Sequence, residues 1–301
     1  MLLGLVSIGL GHLYAGRPIQ GLLLGLTITP VFLGLMTIGA YTGTLVPCLY
    51  AGLAAVTLAW LGQAIHAGWS ARRAPSDRIA PFNRWWIYGA FFLLQAALVQ
   101  QLAWQVRRSV VEPFRVPSES MEPGLRPGDQ VFVVKVGPDA EIGRGHVVFF
   151  RVPERAPGRY GGQIFLKRVI ALAGEQVEIR DAQVVVDGAT IAQQPCEPPE
   201  YTYLQQSGHG PVKETGRCLV EGTGDRGWRI LLAPDGGQHS TPATQVPAGQ
   251  LFLLGDNRDN SWDSRHLGPV PRDAVIGRVA VVWLSWGAGE GMRWSRIGLR
   301  P

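Results

Sequence analysis

Apolar residues crowd the first third of the chain. From Met1 to Val106 charge is sparse, and the hydrophobic stretch breaks at Arg17, at a Tyr41–Thr44 turn and across a connection carrying Arg72, Arg73, Arg78 and Arg84. Three of the resulting blocks, roughly 21–40, 45–66 and 86–106, reach the about 20 apolar residues that a helix needs to cross a bilayer core, where every backbone polar group must be paired within its own segment. The leading block, Leu2–Leu10, has no basic start and is too short to cross alone; with Gly11–Ala15 attached it tilts in or re-enters, and whether residues 1–15 span stays open. No A-x-A site follows it directly, which argues against a cleaved leader. Gly21 and Gly25 make a small-xxx-small pair suited to close helix approach.

Beyond Val106 the pattern shortens to strand-length apolar runs rich in Val, Ile and Phe: Gln130–Val136, His146–Val152, Gln163–Leu172, Gln176–Val186, Gln250–Leu254 and Val275–Trp286. Pro127-Gly128-Asp129, Asp187-Gly188 and Pro234-Asp235-Gly236 supply turns between them. The pattern therefore predicts N-terminal transmembrane α-helices (1–107) followed by an all-β domain (108–301) of twisted or barrel-like antiparallel sheets. A stretch richer in Gly, Pro and Gln, about 189–248, reads as a loop-rich β insert.

Charge sets the orientation. Lys and Arg near spans stay on the cytoplasmic side, so the Arg72–Arg84 connection and Arg17 lie inside and the uncharged Tyr41–Thr44 turn outside. Everything after Val106 then faces the extracytoplasmic, periplasmic side of a multi-pass inner-membrane protein, although Arg107 and Arg108 oppose the rule locally.

Composition narrows the chemistry. The 301 residues suit two domains of about 150 each, and charged residues at 17% fall below the about 25% of ordinary globular proteins. A net charge of +5 without a dense Lys/Arg tract speaks against a nucleic-acid partner. Three cysteines and six scattered histidines fit neither a disulfide scaffold nor a zinc site, so no metal and no cofactor is expected. Cys48 lies within a span as a small packing residue. Cys196 and Cys218 lie in the insert, on an oxidising side if the exterior is a periplasm; one disulfide worth about 3 kcal/mol and two unpaired thiols both remain open.

A serine nucleophile needs a base, and the histidines are poorly set for that work. His12 and His66 belong to the membrane blocks, His209 and His239 to the insert, His146 opens a strand, and only His266, after Asp263-Ser264-Arg265, competes. The alternative base is a lysine held neutral by desolvation. Lys167, in Ile164-Phe165-Leu166-Lys167-Arg168-Val169-Ile170, shares a strand face with Phe165 and Val169, while Arg168 points the other way. Lowering its pKa from about 10.4 to about 7.5 asks about 4 kcal/mol of the surrounding fold.

The segment Pro117-Ser118-Glu119-Ser120-Met121-Glu122-Pro123, with Glu112–Val116 before it and Leu125-Arg126-Pro127-Gly128-Asp129 after it, then Lys167-Arg168, then Gly255-Asp256-Asn257-Arg258-Asp259-Asn260-Ser261-Trp262-Asp263-Ser264-Arg265, resembles three ordered motifs of the bacterial type I signal peptidases. The closing Arg293-Trp294-Ser295-Arg296-Ile297-Gly298 is similar to that family's C-terminus, and the likeness covers most of residues 86–301. It implies that Ser120 attacks the scissile carbonyl with Lys167 as general base, that Ser118 and the Ser120 N–H receive the oxyanion, that Ser261 orients the lysine, and that Asp263 and Arg265 form an ion pair beneath the site. It also places Phe114, Val116, Pro117, Met121, Leu125, Val131 and Leu166 around shallow pockets for small side chains.

The implied substrates are exported preproteins, cut after an A-x-A-like site by an enzyme that touches membrane lipids and works as a monomer. Trp283, Trp286 and Trp294 suit a membrane-touching face or a core. The chain departs from the family pattern at His146, where Asp is usual, at Ala171 and Ala173, where Gly and Pro are common, and in its extra spans before Trp86. Competing readings are a specialised Ser/Lys processing peptidase, such as one maturing a conjugative pilus, a self-cleaving repressor, which the spans oppose, and a non-catalytic membrane-anchored β binding module.

Overall fold

The structure, a computed structural model, describes all residues except 1–7, 16, 73–83, 137–141, 208–209, 224–225, 235–239 and 288. Most of the leading block, Arg73 and Arg78 of the cationic connection, His209, His239 and the Asp235-Gly236 turn lie outside the described residues. The chain divides into two compact units, Met1–Glu112 and Pro113–Pro301.

In the first unit a short helix α1 (Leu10–Tyr14) precedes α2 (Pro18–Thr42), α3 (Leu45–Arg72) and α4 (Trp85–Ser109). Pro18 opens α2, where its missing N–H removes no helical bond, and Gly43 ends it at φ 72°, a conformation that suits glycine. The three long helices are each long and apolar enough to cross a membrane. They overrun the apolar blocks, because helix propagation continues past the last apolar residue while hydropathy marks only the lipid-matched stretch. None of the α4 residues is buried, and Phe92, Leu93 and Leu94 face outward. Lipid solvates such a surface and water does not, so this unit associates with the membrane.

The two small residues of α2 work as contact points. A Cβ on Gly21 would run into the Gly9 carbonyl, and one on Gly25 into the Gln95 side chain. Gln95 Nε2 donates to the Ile8 carbonyl at 2.9 Å, and His12 and His66 share a 2.8 Å hydrogen bond. Polar groups are thereby paired where lipid offers no partner.

The rest of the chain is built from strands: β1 (Val111–Arg115), β2 (Asp129–Lys135), β3 (Val147–Arg151), β4 (Ile164–Ala171), β5 (Gln176–Arg180), β6 (Gln183–Val186), β7 (Ala189–Thr190), β8 (Ala192–Ser207), β9 (Gly210–Thr223), β10 (Arg226–Leu232), β11 (Thr241–Gln245), β12 (Gln250–Leu254), β13 (Val270–Pro271), β14 (Val275–Gly287) and β15 (Gly291–Met292). One sheet has the order β1-β2-β14-β3-β4-β12-β13, with β15 on β14; a second runs β11-β5-β6-β7 and a third β10-β9-β8. The strand pairings are antiparallel.

Strand β3 explains why apolar runs here do not alternate. Val147 and Phe149 enter one core with Val116 and Leu166, while Val148 and Phe150 enter another with Val169 and Leu253. The sheet is covered on both faces, and each such side chain contributes about 1.5–3 kcal/mol.

In the strand layout the sequence expectation differs from the structure in two places. Gln176–Val186 is two strands, not one, because Asp181 and Ala182 take φ 48° and 66° and reverse the chain. The stretch 189–248 is not one satellite: β7 and β11 complete the sheet of β5 and β6, and only β8–β10 form a sheet of their own. That sheet carries the Cys196–Cys218 disulfide.

Candidate active site

The serine-bearing segment leaves β1 tied to the start of β2: Val116 N–H donates to the Asp129 carbonyl and Gly128 N–H to that of Val116, at 2.8 and 3.0 Å. Ser118 is extended, and Glu119–Met121 then turn as one 3-10 element. The turn brings Ser120 Oγ to within 3.3 Å of Ser118 Oγ and holds Glu119 and Met121 inside. It is pinned from the far side, because Asn257 N–H donates to the Ser120 carbonyl at 3.1 Å and Asn257 Nδ2 to that of Glu119 at 3.3 Å.

Lys167 comes from β4. Its Nζ lies 2.8 Å from Ser120 Oγ, with 3% of the residue exposed. Burial lowers its pKa from 10.5 to about 8; the carboxylates of Asp263 and Asp256 oppose that fall, and Arg265 assists it. Arg168, the next residue, turns to the opposite side and grips both oxygens of Asp256 at 2.6 and 2.7 Å.

Asp263 and Arg265 make a bidentate ion pair at 2.8 Å, and Asp263 also accepts the Gly255 N–H at 2.9 Å. Burial alone would raise the Asp263 carboxyl, but the hydrogen bonds and charge of Arg265 hold it below its usual range. Ser261 is not hydrogen-bonded to Lys167. Its buried hydroxyl has no hydrogen-bond partner and lies against Gly255, where a Cβ would collide with it, so the expected contact to the lysine is not made.

A cleft of about 530 Å³ opens beside the Ser120–Lys167 pair. Phe114, Val116, Pro117, Met121 and Leu166 line it, with Phe114 stacked on Phe149 at 4.5 Å between ring centres. Leu125 and Val131 are not among its lining residues; both are fully buried in the core cluster that also holds Met121 and Leu166. His266 stacks on Trp262 at 4.3 Å, and His146 Nδ1 accepts the Gly143 N–H at 3.0 Å. Among the described residues no three His, Cys, Asp or Glu side chains converge as a metal ion would require.

Several supporting groups had no signal of their own in the sequence. Glu221 on β9 pairs with Arg258, a buried contact between residues 37 apart, and the Arg258 N–H donates to the Leu231 carbonyl of β10 at 2.9 Å. Burial works against the Glu221 charge, and Arg258 overcomes it and keeps the carboxyl low. Glu122 accepts from the Tyr201 hydroxyl of β8 at 2.5 Å, and burial raises its carboxyl. Thus the β8–β10 sheet fastens both the Glu122 and the Arg258 loops. Tyr160 and Trp262 also line the cleft; Tyr160 stands outside the quoted motifs, and Trp262 stands inside one without a role of its own.

A hydroxyl facing a desolvated amine, with a second hydroxyl beside it and an apolar cleft alongside, has the parts of an acyl-transfer site in a hydrolase. The family described as signal peptidase, peptidase S26, matches residues 86–286. A probable signal peptidase I-1 of Synechocystis sp. is 33% identical over 209 residues, covering 68% of this chain and 84% of that protein. A signal peptidase I of Pseudomonas aeruginosa is 32% identical over 214 residues, covering 60% and 67%. Signal peptidase I V of Bacillus subtilis is 28% identical over 191 residues, covering 63% and 96%. The chain belongs to the signal peptidase family, peptidase S26, as an enzyme of the signal peptidase I type.

Proposed function

We propose that the chain is a membrane-bound serine endopeptidase that removes signal peptides from exported preproteins through a Ser120–Lys167 dyad. The 2.8 Å contact between a buried lysine and the Ser120 hydroxyl carries this reading. A neutral Lys167 takes the Ser120 proton as the oxygen attacks the scissile carbonyl, and returns it to the leaving amine. Water, deprotonated by the same amine, then releases the acyl-enzyme. Ser118 Oγ and the Ser120 N–H receive the developing oxyanion, where one donor is typically worth about 3–4 kcal/mol.

Strand β4 supports binding by strand addition: β3 pairs along one edge over Ile164–Arg168, whereas β12 pairs only from Arg168 onward. An extended peptide on the free edge would present alternate side chains to the cleft beside Leu166 and Met121, whose shallow form suits the small residues of an A-x-A-like site. The last helix delivers the β unit to the extracytoplasmic side of the inner membrane, with residues 1–107 as the membrane domain, 108–301 as the catalytic domain and β8–β10 as its insert. Trp286 and Trp294, both exposed, suit contact with lipid. Tethering enzyme and substrate to one bilayer raises their effective concentration, and the enzyme works as a monomer.

Incubation of the full chain in lipid with a model preprotein, followed by sequencing of the new N-terminus, tests this. Cleavage after the small-x-small end that vanishes in Ser120→Ala and in Lys167→Ala is expected; normal cleavage by either variant overturns the dyad.

A further inference from the structure

An aromatic row runs outward from the dyad. The Lys167 Nζ lies 5.6 Å from the Phe165 ring centre, Phe165 lies 5.4 Å from Tyr160, and Tyr160 lies 5.5 Å from Trp262. Trp262 is backed by His266, stacked 15° from parallel. Phe165, Tyr160 and Trp262 line the same cleft as Ser120 and Lys167, yet none belongs to the apolar core around Leu166 and Met121. The row is fixed in place: Gly158 at φ 90° brings its loop so close to Trp262 that a Cβ there would sit 3.2 Å from the indole. Trp262 nonetheless stays 36% exposed, which leaves ring surface for a ligand.

Phe165 and Leu166 are neighbours on β4 and so project from opposite faces. Leu166 faces the core with Phe149, and Phe165 packs with Tyr160 against the other. A peptide added to the free edge of β4 alternates in the same way. The residue seated against Leu166 and Met121 therefore has neighbours on both sides that point towards the aromatic row.

We propose that Phe165, Tyr160 and Trp262 form a second specificity subsite, which favours large apolar or aromatic side chains at the substrate positions flanking the small residue of the cleft. This rests on the proteolytic reading above. Stacking and apolar contact on such a wall correspond to a preference on the order of fivefold.

The test is a set of preproteins with a fixed small residue at the cut and Ser, Leu or Phe at the position before it or after it, digested pairwise in one tube by the full chain in lipid. The ratio of kcat/KM within each pair does not depend on how much enzyme is folded. The wild type should favour Leu and Phe over Ser at one flanking position, and Trp262→Ala and Tyr160→Ala should each bring that ratio to within about twofold of unity. A wild type indifferent at both positions, or either variant keeping the full preference, overturns the subsite. Ser120→Ala in the same assay separates the two ideas: cutting by that variant would sink the dyad, whereas Ser120-dependent cutting with an unmoved ratio sinks the subsite alone.

Discussion

Lys167 and Arg168 are consecutive on β4, yet their charges part company: the Lys167 amine lies 2.8 Å from Ser120, while the Arg168 guanidinium closes on Asp256 at 2.6 and 2.7 Å. Asp256 lies against Gly124 of the serine-bearing segment, where a Cβ would come 2.7 Å from its carboxylate. Two motifs far apart in sequence therefore meet through this ion pair. Asp256→Asn should cost about 3–5 kcal/mol in chemical denaturation, because it leaves the Arg168 charge buried without its partner. Arg168→Met with Asp256→Leu should lose less than that single change.

The proposed dyad predicts that activity depends on pH in a defined direction. Lys167 is lowered to about 8 by burial, so cleavage should rise as pH climbs through about 8 and fall on the acid side as the amine becomes charged. A pH profile of kcat/KM that is flat from 6 to 9 (about the range the amine must cross) would contradict the assignment.

The same burial has a cost in stability. Below about 8 the folded state must keep a charged ammonium in a dry site or give up its proton; either way the unfolded chain, with an ordinary lysine near 10.5, is favoured. Stability therefore rises with pH between about 8 and 10.5 and the penalty is gone above that window. Lys167→Met, inactive, should be more stable than the parent by about 1–3 kcal/mol at pH 7, with the difference shrinking towards pH 10.5 in paired thermal melts.

Gly255 lacks room for any side chain: an added Cβ would meet the Ser261 hydroxyl and lie 2.7 Å from the Ser120 carbonyl. Gly255→Ala should shift the serine turn and reduce kcat/KM at least about tenfold, with KM moving less than kcat, since small displacements of reacting groups cost rate steeply. An active Gly255→Ala would mean that the serine turn and the Gly255 loop move independently.

The disulfide closes a segment of 22 residues between β8 and β9. Its loss in Cys196→Ser/Cys218→Ser should cost about 3 kcal/mol in urea unfolding. Activity should fall in parallel, because Glu221 and Tyr201 of those strands hold the Arg258 and Glu122 loops.

Hydropathy made the long apolar helices legible, since lipid imposes a length and disfavours charge whatever the helices pack against. Strand β4 was legible for a similar reason: alternation alone sets Lys167 beside Phe165 and opposite Arg168. The β8–β9 pairing was not, because the 16 residues of β8 include three Pro and four Gln, the 14 of β9 include three Gly, and the two strands draw their form from one another. Likewise Leu125 and Val131, apolar and near the serine, read as pocket residues from the sequence and lie in the core behind it.

By itself the sequence determined that this chain has an apolar, helical membrane part and a strand-built remainder, and which serine and which lysine stand in motif order. Local periodicity and short-range turn chemistry suffice for that. Only the tertiary structure decided that the two groups, 47 residues apart, meet at 2.8 Å, that Ser261 turns to Gly255 rather than to the amine, and which aromatic rings flank the cleft. Desolvation and side-chain contact come from residues that only the folded sheets assemble, and no window along the chain contains them.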